Sequence, residues 1–289
     1  MKYAQHTGSS RPAPALKSLL SGLAVAACLG FAINAHAQPC TISNWDAAAN
    51  LTDANTGTQG SDNKRYGGPC GLRVPLNGTP AFLTDDSPTA SGEVSYIARF
   101  YAFLDSAGTD PVILFAADDG AEDQIQIWYN FPDVGDLNLR VFDSGGTESD
   151  LPVTAANVGS GWKAIEFVWQ ASNAADNVTF SVSDRFGNAE GSASVDTTGV
   201  VVSRAHLGNL NGASGGQIDF DDFDSRRQTR PGRLMRADAN DDGQINALDF
   251  IAVINEIGGT VAAGQPDCNE DGVINALDFI CVINVIGGN

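Results

Sequence analysis

Between residues 94 and 223 short apolar runs recur at 94–104, 112–117, 124–131, 137–142, 162–170, 178–183, 200–207 and 217–223, separated by Gly, Asp, Asn and Ser. Several alternate strictly. Ile165, Phe167 and Trp169 fall on one side of their run with Glu166 and Gln170 on the other, and Val178, Phe180 and Val182 alternate with Thr179 and Ser181. A strand with one buried face has this period of two. Eight such runs with no helical period between them predict a mostly β chain folded as an antiparallel sandwich. Residues 38 to about 90, rich in Gly, Asn, Thr, Asp and Pro, predict loops and short strands around Trp45.

The period changes near the C-terminus. Residues 248–257 and 277–286 carry helical patterns, each closed by Gly-Gly as a C-terminal cap would be. Before each lies a twelve-residue string, D-A-N-D-D-G-Q-I-N-A-L-D from Asp238 and D-C-N-E-D-G-V-I-N-A-L-D from Asp267, 29 residues apart. Residues 240–259 match 269–288 at 16 of 20 positions, differing at 241, 244, 252 and 256, so this segment is duplicated. The spacing suits a hard cation. Calcium takes six to eight oxygens, and a twelve-residue loop delivers them from positions 1, 3, 5, 7, 9 and 12. These positions are Asp238, Asn240, Asp242, the Gln244 carbonyl, Asn246 and Asp249, then Asp267, Asn269, Asp271, the Val273 carbonyl, Asn275 and Asp278. Gly243 and Gly272 stand where the chain turns sharply, and Ile245 and Ile274 can join the loops through an apolar contact.

Residues 258–266 cannot form a useful helix ahead of the second loop, so each unit is a loop with only an exiting helix. In this it resembles the type I dockerin repeat. The resemblance implies two calcium ions, an Asp at loop position 12 and a cohesin-like protein partner. The chain departs from the pattern that reads that partner. Loop positions 10 and 11 are Ala247-Leu248 and Ala276-Leu277, and the helices carry Ile254-Asn255 and Ile283-Asn284 in place of Lys or Arg. An apolar-reading partner, packing against the sandwich and self-association all remain open.

The order of the central features resembles the laminin-G-like, concanavalin A-type jelly roll over residues 90–227. A strand opens at Gly161-Trp162, another ends in a turn at Gly187, and Gly216-Gln217-Ile218-Asp219-Phe220-Asp221-Asp222-Phe223 closes the fold. The basic stretch 228–235 is read as a linker. The predicted organisation is a signal peptide at 1–37, a sandwich domain at 38–227 and a calcium module at 236–289.

Lys2, Arg11 and Lys17 precede an apolar run over 19–33 that is followed by Ala35-His36-Ala37, a signal-peptidase pattern. A lipobox at Cys28 is the alternative. The apolar run is shorter than a membrane span needs. Cleavage after Ala37 leaves 13 basic against 35 acidic residues, a net charge of −22 that disfavours nucleic acid and anionic lipid. Four cysteines remain, consistent with two bridges formed outside the cytosol. Cys40 and Cys70 make one pair. Cys268 and Cys281 stand together where the first repeat has Ala239 and Ala252, which suggests the other. His206 alone survives cleavage, so a His-rich zinc site is excluded and any Ser-His-Asp triad would need it.

The leading functional expectation is a secreted, non-catalytic calcium-binding protein. Its sandwich would bind carbohydrate or protein, with Trp128 and Tyr129, on opposite faces of one strand, as candidate contacts. A glycoside hydrolase needs two placed carboxyl groups; the nearest acidic string, 219–224, lacks the Glu-x-Asp-x-x-Glu of jelly-roll glucanases. A structural cell-surface protein is the third possibility. Asp118-Asp119 and Glu122-Asp123 form either a solvated turn or a third calcium site. The module is further expected to loosen on chelation while the sandwich stays folded.

Overall fold

The computed structural model describes residues 40–57, 64–88, 91–153 and 160–288. The predicted signal peptide with its alternative lipobox at Cys28, and His6 and His36, lie outside the described residues. Fourteen strands are described: β1 Ala47–Ala49, β2 Thr56–Gly57, β3 Gly71–Asn77, β4 Ala81–Asp85, β5 Ser95–Phe103, β6 Val112–Asp118, β7 Asp123–Tyr129, β8 Leu137–Phe142, β9 Glu148–Val153, β10 Trp162–Gln170, β11 Val178–Asp184, β12 Gly187–Ala193, β13 Arg204–Asn209 and β14 Ser214–Arg226. Two helices follow, α1 Ala247–Ile257 and α2 Ala276–Ile286.

The strands form two antiparallel seven-stranded sheets. Sheet A has the order β1-β4-β13-β6-β7-β8-β9 and sheet B the order β12-β11-β10-β5-β14-β3-β2. The alternation seen in the sequence sets which residues face inward: Ile165, Phe167 and Trp169 of β10 and Val178, Phe180 and Val182 of β11 are buried between the sheets, against Phe115, Ile125, Ile127 and Leu139 of sheet A. Burying apolar area at roughly 25 cal/mol per Å² makes this layer the main stabilising term.

The structure adds strands that the polar N-terminal region hid. β3 and β4 occupy places inside the sheets, and β1 and β2 lie at or near their edges. The apolar run at 200–207 becomes a strand only from Arg204; before it, Val202 bridges to Glu93 and its side chain enters the core. Cys40–Cys70 and Cys268–Cys281 are both disulfides, as their positions suggested. Closed bridges of this kind belong to chains folded in an oxidising compartment. No described helix is long and apolar enough to cross a membrane.

Residues from Ala37 onward, sandwich and helices together, form one compact unit. The stretch read as a linker is held to sheet B. Arg230 pairs with Glu166 and Glu190, Gly232 N–H donates to Glu166, and Leu234 N–H donates to the Tyr101 hydroxyl at 2.8 Å.

Candidate metal centre and ligand face

Each repeat folds its acidic string into the same loop. Position 4 has left-handed backbone, with φ of 59° at Asp241 and 58° at Glu270, and so does the glycine at position 6, with φ of 77° at Gly243 and 79° at Gly272. The sharp turn directs backbone N–H groups inward. Asp238 accepts from Asp242 N at 3.1 Å and Gly243 N at 2.9 Å; Asp267 accepts from Asp271 N at 3.1 Å and Gly272 N at 2.7 Å. Asn240 and Asn269 each donate a side-chain N–H to the carboxylate two residues on. Asn246 and Asn275 cap the helices, and Asp249 and Asp278 return to the cap N–H at 2.7 and 2.8 Å. Position 12 therefore serves loop and helix at once, which ties the helix start to the shape of the loop.

Asp238, Asp249, Asp267 and Asp278 are buried. Burial, reinforced by the charge on Asp278, pushes the Asp267 carboxyl up to about 8, and burial also raises Asp278. Crowded carboxylates in a poorly solvated loop resist ionising without a cation among them. Among the described residues no group of three or more His, Cys, Asp or Glu side chains is arranged to hold a metal ion. The donor set of each loop is instead mixed, with carboxylate, amide and carbonyl oxygens, all hard donors of the kind calcium takes. Gln244 and Val273 point their side chains to solvent and offer only backbone oxygen.

The second loop grips the sandwich. Glu270 Oε1 accepts from the Tyr66 hydroxyl at 2.8 Å and pairs with Arg233, and Oε2 accepts from Arg185 N at 2.6 Å. The Glu270 carbonyl accepts from Trp162 N at 3.0 Å, and the Gly272 carbonyl from Lys64 Nζ at 2.8 Å. Beneath them Tyr66, Tyr101, Phe103, Trp162 and Ala164 form a small apolar cluster on the outer face of sheet B. From the first repeat, Glu256 reaches Arg65 in a fully buried ion pair. None of Tyr66, Arg65, Arg233, Glu256 and Glu270 was marked by sequence reasoning as functional. The signal available was that 270 and 256 are two of the four positions at which the repeats differ.

With this end of sheet B covered, sheet A offers the open face. A cross-strand row runs Thr84, His206, Ala116, Gln126, Arg140, Asp150 over β4, β13, β6, β7, β8 and β9. The His206 ring meets Thr84 Oγ1 at 2.9 Å and Asp118 Oδ2 at 2.8 Å, so both its nitrogens are engaged. Trp128 stands beside the row, its indole N–H donating to Gln126 at 2.9 Å. Arg140 lies 5.7 Å from the Trp128 ring and 5.0 Å from the Phe131 ring, and is held in two hydrogen bonds by Asp150. Trp128 and Tyr129 do face opposite ways: Trp128 is half-buried on the outside, whereas Tyr129, also half-buried, packs against the core. Trp162 and Trp169 are buried.

Several of the acidic candidates make structural contacts. Asp118 pairs with Arg204 and His206, and Asp119 accepts from the N–H groups of Ala121 and Glu122. Of the closing-strand acids, Asp219 is paired with Arg73, Asp221 takes the N–H groups of Tyr66 and Gly67, and Asp224 pairs with Arg226, while Asp222 keeps one buried carboxylate oxygen without a hydrogen-bond partner.

No protein-family model matches this chain, and no curated protein matches it. Among solved structures it is similar to the alginate lyase from Klebsiella pneumoniae, at 10% identity and a TM-score of 0.43 over 56% of this chain and 82% of that one. It is also similar to the botulinum neurotoxin type G receptor binding domain, at 7% identity and a TM-score of 0.36 over 63% of this chain and 44% of that one. The botulinum neurotoxin serotype D binding domain gives 6% identity and a TM-score of 0.40, over 65% and 43%. The chain spans less than half the length of the two toxin chains. Likenesses at this level decide neither ligand nor activity.

Proposed function

We propose that this is a secreted, calcium-binding, non-catalytic protein whose sandwich, a jelly roll of the concanavalin A type, binds carbohydrate on the outer face of sheet A. The duplicated loop carries the calcium half of this reading. Two copies with the same backbone turns, hard-oxygen donors at the same positions and a shared helix cap are what two ions would organise. In this reading the ions neutralise the buried carboxylates and fix the helix starts. Equilibrium dialysis of the mature chain is expected to return two calcium ions, and Asp242→Ala or Asp271→Ala to remove one each. Full occupancy in both variants would refute the assignment.

The carbohydrate half rests on the polar row of sheet A beside Trp128. An aromatic face next to amide, guanidinium and carboxylate groups suits a hydroxyl-rich ring, which stacks on the indole and shares hydrogen bonds with its neighbours. A neutral polysaccharide fits best, because Asp150 and Glu148 offset the charge of Arg140. On a glycan array, Trp128→Ala and Arg140→Ala are each expected to weaken the bound class about tenfold, the scale of a lost stacking or cation–π contact. Tyr129→Phe should leave binding unchanged. Binding that survives both Trp128→Ala and Arg140→Ala would place the site elsewhere. A hydrolase reading gains little from the closing-strand acids, three of which, Asp219, Asp221 and Asp224, are tied to Arg73, to backbone N–H groups and to Arg226. A cohesin-like partner gains none from Ile254-Asn255 and Ile283-Asn284, which carry no cation.

A further inference from the structure

Each helix leaves most of its aliphatic residues outside. On α1 the buried side contains Asp249 and Glu256 with Val253, while Leu248, Ile251, Ile254 and Ile257 are each 44–55% exposed. On α2, Asp278 and Val282 are buried, and Leu277, Ile280, Ile283 and Ile286 are 46–57% exposed. A helix on a soluble domain turns its apolar stripe inward. Here the buried side is narrow: Val253 and Val282 enter a small apolar cluster, with Phe250 and Phe279 packed against it at 4.3 Å between ring centroids, beside the loop carboxylates and the Arg65–Glu256 link, and the other aliphatic positions are left half exposed. No exposed residue of either helix is charged, and the largest polar groups on the two faces are the amides of Asn255 and Asn284.

Three observations identify the occupant. The eight aliphatic residues leave on the order of 800 Å² exposed per copy, about what one partner of a standard-size interface buries. On a chain of net charge −19 these faces are electroneutral, so they offer nothing to steer or select a charged partner and match best another neutral apolar face. Finally, each amide holds both donors and an acceptor, so the asparagines satisfy one another when the same face meets itself. An isologous contact asks for such self-complementarity. We infer that α1 and α2 join two copies of this chain in a twofold-symmetric dimer. The calcium dependence of that dimer rests on the loop reading above, because the loops set the helix starts; the pairing itself does not.

Sedimentation velocity of the mature chain in calcium, at micromolar concentration, is expected to give twice the monomer mass. Ile251→Glu combined with Ile280→Glu should weaken association at least about a hundredfold, with calcium stoichiometry and helical circular dichroism retained. Ile254→Lys with Ile283→Lys should do the same with the opposite charge, which separates the loss of an apolar contact from electrostatic repulsion. A calcium-loaded chain that stays monomeric overturns the inference, as does a dimer unaffected by either pair of substitutions. A monomer that uses these residues to bind lipid vesicles or an added protein overturns it in favour of that occupant. Dimerisation without any calcium bound would leave the dimer standing and remove the loop reading instead.

Discussion

Chelating calcium from the mature chain is expected to lower the melting temperature of sandwich and helices together, by roughly 10–20 °C. Each ion held at a hundred times its dissociation constant contributes about 2.7 kcal/mol, so two contribute about 5. In a unit of this size each kcal/mol moves the midpoint by about 2–4 °C. The loss spreads because the second loop is part of the sandwich surface. Its Glu270 carbonyl bonds Trp162 N–H, and its Glu270 carboxylate holds Tyr66 and Arg233. The Trp162 ring, edge-on to Tyr66 and Phe103 at 5.8 and 5.6 Å, makes near-ultraviolet circular dichroism a reporter on the sandwich side. Helical ellipticity reports on the module. The two probes should move together with and without chelator. If helical signal disappears while the aromatic signal keeps its midpoint, the module melts alone.

From the sequence taken alone the opposite outcome was expected, a module that loosens while the sandwich stays intact, and the reason is instructive. Local chemistry was legible in the chain: the strand period put Ile165, Phe167 and Trp169 inside, and the paired Ala-to-Cys differences gave the second disulfide. Partners distant in sequence were not legible. Of the four positions that distinguish the repeats, 281 closes the bridge to Cys268, 270 docks on Tyr66 and Arg233, and 256 meets Arg65; Gln244 and Val273 face solvent. Three of the four divergent positions thus fall where the two copies have different neighbours. The divergence does not say which neighbours, because Tyr66 lies 204 residues from Glu270 and no periodicity links them. The basic stretch from Arg230 to Arg233 misled for a related reason. Without an apolar pattern it reads as a tether, yet Arg230 is paired with Glu166 and Glu190, and Arg233 with Glu270.

Replacing Glu256 with Val, the residue the second repeat has at the equivalent position 285, is expected to destabilise the whole unit by about 3–5 kcal/mol. Valine suits the helix, as α2 shows, so the cost arises elsewhere. Arg65 and Glu256 have side chains only 4% and 1% exposed, and removing the carboxylate strands a guanidinium that water cannot reach. The Ala262 N–H, which donates to Glu256, loses its acceptor too. Replacing both partners should behave differently. Arg65→Met with Glu256→Val exchanges a desolvated ion pair for apolar contact, and such exchanges are often neutral or stabilising. Chemical denaturation of the two single variants and the double should therefore show a coupling of several kcal/mol, with the double variant near the parent. Additive losses would mean that Arg65 and Glu256 act separately, and that the module is held to the sandwich by the contacts of the second loop, those of Glu270 and Gly272.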